Sequence, residues 1–145
     1  MQKENHAFDL HKYKKVCREH HLKITPQRAA IYKELVKSDT HPTTDTIYQI
    51  VKKEYPNISF DTVNRTLLTF AQTGIVDIVE KFGGAKRFDP NVANHHHLHC
   101  TQCGKVFDFY NPDYDDLEVP EELQQQFQVT GKRVVLRGVC KQCRS

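Results

Sequence analysis

The chain has 145 residues, 38% of them hydrophobic and 27% charged, with a formal net charge of +3. This allows one or two small domains, each with a thin core that a structural metal would reinforce. Residues 1–10 hold no apolar targeting stretch and no run is long enough to span a bilayer, so a cytoplasmic chain with no membrane partner is expected. The charge is uneven: 15 Lys/Arg face 10 Asp/Glu over residues 1–88, whereas 6 face 8 over residues 89–145. A basic front half suits a polyanion-binding module joined to a part with another task, although charge alone decides nothing.

Residues 7–21 read as a first helix, with Phe8, Tyr13, Val16 and Cys17 at usable spacing. Cys17 stands outside the Cys-x-x-Cys pairs and is expected to be a small buried apolar residue. Ile24-Thr25-Pro26-Gln27-Arg28 starts a second helix. Thr25 caps it, Pro26 sits where its missing N–H costs nothing, and Ala30, Ile31 and Leu35 continue the apolar stripe. A third helix starts near Thr43, after His41-Pro42, and runs through Ile47, Tyr48, Ile50 and Val51 to Tyr55-Pro56. A fourth is capped by Ser59 and stopped by Gly74. Phe60, Val63, Leu67 and Phe70 fall on one of its faces, which leaves Asp61, Thr62, Asn64 and Arg65 outside. Residues 75–80 read as a strand, Gly83-Gly84 as a turn and residues 85–88 as the returning strand.

Helices followed by a two-stranded ribbon give the winged helix-turn-helix order, in which the last helix enters the major groove of double-stranded DNA. Thr62, Asn64 and Arg65 are the candidate base-edge contacts: Asn suits adenine, and Arg suits guanine or phosphate. Lys81, Lys86 and Arg87 on the ribbon are placed to hold backbone phosphates.

The back half carries Cys100-x-x-Cys103 and Cys140-x-x-Cys143. Each pair forms a tight knuckle, Gly104 suits the first turn, and four thiolates make a closed structural zinc shell that staples the two ends of a subdomain. Without an export signal, zinc is favoured over disulfides. Just before the first pair stand His95, His96 and His97. In a strand over 95–99, His95, His97 and His99 share one face and His96 takes the other. Asp89 lies upstream, and Asp108 follows in the strand after the knuckle. Imidazole with carboxylate suits iron(II), manganese or zinc rather than a soft metal. Residues 113–127 look like a helix interrupted or restarted at Pro120, and residues 129–139 are β-rich around Val134-Val135-Leu136. The fold class is α+β: a winged helix-turn-helix domain at 1–88, a hinge at 89–94, and an α/β dimerisation and metal-binding domain with a four-cysteine zinc site at 95–145.

Ile24-Thr25-Pro26-Gln27-Arg28, His41-Pro42-Thr43, Thr62-Val63 with Arg65-Thr66-Leu67, Gly74-Ile75-Val76, Arg87-Phe88-Asp89 and the His-x-His-x2-Cys-x2-Cys-Gly-Lys run of 95–105 resemble the ferric uptake regulator family of bacterial metal-dependent repressors. The resemblance covers nearly the whole chain, and Cys140-x-x-Cys143 completes it. It implies a homodimer on a DNA operator, a structural zinc ion, and a regulatory iron(II) or manganese(II) held by His41, Asp89, His95, His97 and Asp108. His41 enters this set only through the resemblance; read by itself it is a turn residue before a proline. Aspartate at both 89 and 108 resembles the peroxide-regulator branch. That branch implies that peroxide reacts at bound iron and oxidises His41 or His95, so that metal is lost and repressed genes open. An additional metal site of the family, which uses a histidine just before the last Cys-x-x-Cys, is expected to be missing. Asn64 stands where the family usually has tyrosine, His20-His21 where many members have a glycine, and His99 replaces a usually apolar residue. His20, His21, His96 and His99 are read as non-ligands. The alternative is a repressor that responds to iron, zinc or manganese without sensing peroxide. An enzyme is not expected, because five protein ligands leave no open position for substrate.

Overall fold

The computed structural model describes residues 8–38, 41–79 and 85–144. The chain divides into two compact units, with the boundary between Val92 and Ala93.

In the first unit, α1 (Leu10–Glu19) is shorter than the predicted 7–21. Asp9 Oδ1 accepts the N–H groups of His11 at 3.0 Å and Lys12 at 3.3 Å, which fixes the start. The end is set by His21, whose φ of 56° lies in the left-handed region. Its N–H donates to the Arg18 carbonyl and that of Leu22 to the Cys17 carbonyl, so a histidine closes the helix as a glycine usually does. α2 (Pro26–Lys37) and α4 (Phe60–Thr73) begin on the expected side-chain caps Thr25 and Ser59, and α3 (Thr44–Glu54), expected to start near Thr43, is capped by that residue. Gly74, at φ 83°, stops α4.

The core of this unit packs Tyr13, Ile31, Leu35, Ile47, Leu67 and Phe70 together, and Cys17 lies buried among them as expected. Tyr13 stacks on Tyr32 with centroids 4.8 Å apart, and both meet Phe70 edge-on. Phe60 is a correction: it is 46% exposed, and its ring lies on the edge of Tyr48 rather than in the core. The buried stripe of α4 starts only at Val63.

β1 (Asp77–Ile78) and β2 (Phe88–Asp89) form the antiparallel ribbon, with Ile78 opposite Phe88 and Asp77 opposite Asp89. The strands expected over 75–80 and 85–88 are shorter because Ile75 and Val76 leave α4 by turning into the core. The expected Gly83-Gly84 turn, and Lys81 with it, lie outside the described residues.

The second unit is built on β3 (His96–Cys100), β4 (Val106–Phe109) and β5 (Val135–Gly138) in the order β4-β3-β5. β3 is antiparallel to β4, with His97 opposite Asp108, and parallel to β5, with His97 opposite Val135. Of the β-rich stretch 129–139 only residues 135–138 join the sheet. The helix expected over 113–127 is two short pieces, α5 (Pro112–Asp115) and α6 (Glu121–Gln126). Pro112 and Pro120 each open a new helical turn, and residues 117–119 between them belong to no helix or strand. α7 (Lys141–Arg144) closes the chain. Among the described residues no helix is long and apolar enough to cross a membrane.

Candidate metal centres and nucleic-acid interface

The four paired cysteines meet as the spacing predicts. Their sulfurs all lie within 4.8 Å of one another, with Cys103 and Cys140 Sγ 3.9 Å apart. A tetrahedron with metal–sulfur bonds of about 2.3 Å needs sulfurs about 3.8 Å apart, whereas a disulfide needs about 2.05 Å. Gly104, at φ 77°, makes the first knuckle by donating its N–H to the Cys100 carbonyl. Cys100 Sγ accepts the N–H groups of Cys103 at 3.5 Å and Cys140 at 3.3 Å. Those two amides, Cys103 first, lower its thiol to about 5. Hydrogen bonding to Cys140 sulfur, followed by burial, pushes Cys143 up to about 12. Four sulfurs this close can all be thiolates only with a cation between them, and the cage fits a structural zinc ion.

On one face of β3 and β4, His95 Nε2 and His97 Nε2 are 3.0 Å apart, and Asp108 Oδ1 lies 3.5 Å from the first and 3.3 Å from the second. His95 Nδ1 is 2.6 Å from the Ala93 carbonyl, which only accepts, so Nδ1 carries the proton and Nε2 is left as the ligand atom. Two imidazoles and a carboxylate converging in this way fit a hard or borderline divalent metal. Arg133 Nε holds the His95 carbonyl from behind at 3.3 Å.

A second pair forms within the first unit. His41 Nε2 is 3.6 Å from Asp89 Oδ2, while Asp89 Oδ1 accepts the Asn91 N–H at 2.9 Å. His41 has φ 53°, a left-handed conformation costly for a side chain with a Cβ. The returning ribbon holds it there. Arg87 Nη1 donates to the His41 carbonyl at 3.1 Å, Phe88 N–H donates to the Pro42 carbonyl at 3.1 Å, and Thr43 bridges Arg87.

His96 and Asp115 form a contact that sequence reasoning missed. They lie 2.7 Å apart on the opposite face of β3 from His95 and His97. Alternation along the strand turns His96 away from the other two, but nothing in the spacing points to its partner. His99 belongs to neither the thiolate cage nor the histidine–carboxylate cluster.

On α4, Thr62 and Arg65 are exposed, and Arg65 Nη2 pairs with Asp61 Oδ2 at 2.8 Å. Asn64 corrects the expectation of an outer position. It is half-buried, and its Oδ1 accepts from Thr44 Oγ1 at 3.1 Å, because α3 packs against this side of α4. Lys86 is exposed beside the ribbon.

A winged-helix unit followed by a unit with a thiolate cage and a separate histidine–carboxylate cluster defines a metal-dependent regulator. The ferric uptake regulator family model matches residues 19–137, and the chain belongs to that family. The peroxide-responsive repressor PerR of Staphylococcus aureus strain Mu50 is 43% identical over 122 residues, covering 84% of this chain and 82% of the relative. The solved ferric uptake regulator Fur of Helicobacter pylori aligns with a TM-score of 0.72 at 22% identity, over 94% of this chain and 91% of that one, and shows a shared fold. A zinc-bound manganese uptake regulator aligns with a TM-score of 0.66 at 28% identity, over 88% and 97% of the two chains.

Proposed function

We propose that this protein is a homodimeric, cytoplasmic repressor that binds operator DNA when a regulatory metal is bound and releases it after hydrogen peroxide oxidises His41 or His95. The observation that carries the reading is the His95–His97–Asp108 convergence, at 3.0–3.5 Å, on a face separate from the four cysteines. A zinc staple needs no second set of ligands. In this reading residues 1–88 bind DNA, residues 89–94 are a hinge and residues 95–145 dimerise. His41 and Asp89 complete the regulatory site, and ligands on both sides of the hinge let metal binding favour the DNA-competent arrangement by linkage. Thr62, Arg65 and Lys86 are exposed for DNA contact, whereas Asn64 contributes through what Thr44 leaves of its amide. The exposed apolar residues Leu98, Leu136 and Phe127 of the second unit support pairing with a second copy.

Iron(II) held by these ligands would promote cleavage of the peroxide O–O bond; one oxygen would go to the imidazole of His41 or His95, which is oxidised by two electrons, and the other would leave as water. Two points favour peroxide: the 43% identity to a peroxide-responsive repressor, and aspartate at both 89 and 108. An oxidised imidazole is a poorer ligand, so the metal is released. The alternative, a repressor that counts metal without sensing peroxide, is supported by the likeness to a manganese uptake regulator.

The test is anaerobic loading with iron(II), a peroxide pulse, and peptide mass spectrometry beside DNA-binding measurements on duplexes selected from a random library with manganese(II). One added oxygen on the His41 or His95 peptide with loss of binding is expected. Unmodified peptides with binding retained favour the metal counter, and affinity indifferent to metal and chelator removes both readings.

A further inference from the structure

The run from His95 to His99 places histidines at alternate positions, and that pattern defines strand register poorly. A slip of two residues puts His97 and His99 where His95 and His97 stand, and the alternation of faces is unchanged. Cys100 anchors the far end of β3 through the thiolate cage and through its N–H to the Lys105 carbonyl at 2.9 Å. The near end needs its own anchor.

His96 has the geometry for that role. It is fully buried on the face opposite His95 and His97. Its Nδ1 accepts the N–H of Val134 at 2.9 Å, just before β5, and its Nε2 lies 2.7 Å from Asp115 Oδ1 at the end of α5. An amide N–H only donates, so Nδ1 has no proton; Nε2 carries it and donates to the carboxylate. The ring also meets Tyr114 edge-on at 5.6 Å. After a two-residue slip Leu98 would occupy this position. Leucine makes neither bond, so an N–H and a carboxylate would lose their partner.

We propose that His96 is a positioning residue for the metal switch: its Nδ1 bond to Val134, with Asp115 holding the proton on Nε2 so that Nδ1 stays an acceptor, fixes the register of the near end of β3 and thereby aims His95 and His97 at Asp108. This inference rests on the reading of those three residues as metal ligands.

Cobalt(II), added to the full-length zinc-loaded protein, serves as probe. Its visible absorption separates a nitrogen–oxygen site from thiolate ligation. His96→Asn keeps an acceptor where Nδ1 stands and loses the Asp115 bond. His96→Gln keeps a donor toward Asp115 and loses the acceptor for Val134, and His96→Leu loses both. Expected are cobalt affinity weakened about tenfold or more, with an altered spectrum, in His96→Leu and His96→Gln. His96→Asn should stay within about threefold of wild type, and zinc content should be unchanged throughout. If His96→Leu does not fold, the Asn and Gln variants decide, since they differ only in which bond survives. Equal affinity and spectrum in those two overturns the proposal. A wild-type protein that binds cobalt nowhere outside the thiolate cage overturns the ligand reading, and this inference with it.

Discussion

Asp108 lies within 3.5 Å of both His95 Nε2 and His97 Nε2, so the length of its side chain sets where its oxygens stand relative to any metal held there. Asp108→Glu adds one methylene without removing the charge. Manganese-dependent DNA binding is expected to survive, while peroxide-driven oxidation of the His41 and His95 peptides falls several-fold in mass spectrometry. Undiminished oxidation would remove the argument drawn from the two aspartates. Asn64 is a different case. The Thr44 hydroxyl already occupies its Oδ1 at 3.1 Å, which leaves the Nδ2 donor as the group best placed toward a base. Thr44→Val releases the amide to use both groups, and library selection should then show a stronger preference for adenine at the position it faces. Identical selected sequences for the two proteins would show that Asn64 reads no base. The Asp61–Arg65 pair is exposed and holds Arg65 weakly, so in the proposed DNA complex a phosphate would displace Asp61 at little cost.

At the scale of elements, the helix ends carry measurable stability. His21 holds a left-handed φ of 56° where glycine meets no penalty. His21→Gly should therefore stabilise the protein by about 1 kcal/mol, seen as a raised Tm in calorimetry. Ser59 Oγ accepts the Thr62 N–H at 3.0 Å, and Ser59→Ala should cost about 1 kcal/mol. These caps are legible in the sequence because a cap and its partner are a few residues apart. The break between α5 and α6 is only half legible: Pro120 marks a restart, but nothing local announces the non-helical stretch that separates the two helices.

For the whole molecule, zinc and protons compete for one cage. Cys100, lowered to about 5, is already a thiolate at neutral pH, whereas Cys143, raised to about 12, must give up its proton when zinc binds. Zinc affinity should therefore rise about tenfold per pH unit on account of Cys143 alone, with an additional loss as pH falls through about 5, where Cys100 also protonates. A chelator competition series over this range measures the slope, and a flat profile would show that Cys143 does not ligate. Stripping zinc altogether should release the ends of the second unit, seen as loss of its near-ultraviolet dichroism and of dimers in sedimentation.

The sequence by itself determined what neighbours along the chain decide. Thr25-Pro26, Ser59 and Gly74 set helix ends, the Cys-x-x-Cys knuckles set thiolate pairs, and alternation along β3 separated His95 and His97 from His96. Resemblance to the ferric uptake regulator family supplied His41, which local chemistry did not nominate. Tertiary structure decided the pairs that lie far apart in the chain: His96 with Asp115 at 19 residues, Thr44 with Asn64 at 20, and Arg87 with His41 at 46. Composition cannot announce these bonds, because each depends on which surfaces pack together. That is why Asn64 moved from the outer face of a helix to the seam between two, and why a turn residue before a proline is held in a strained conformation beside Asp89.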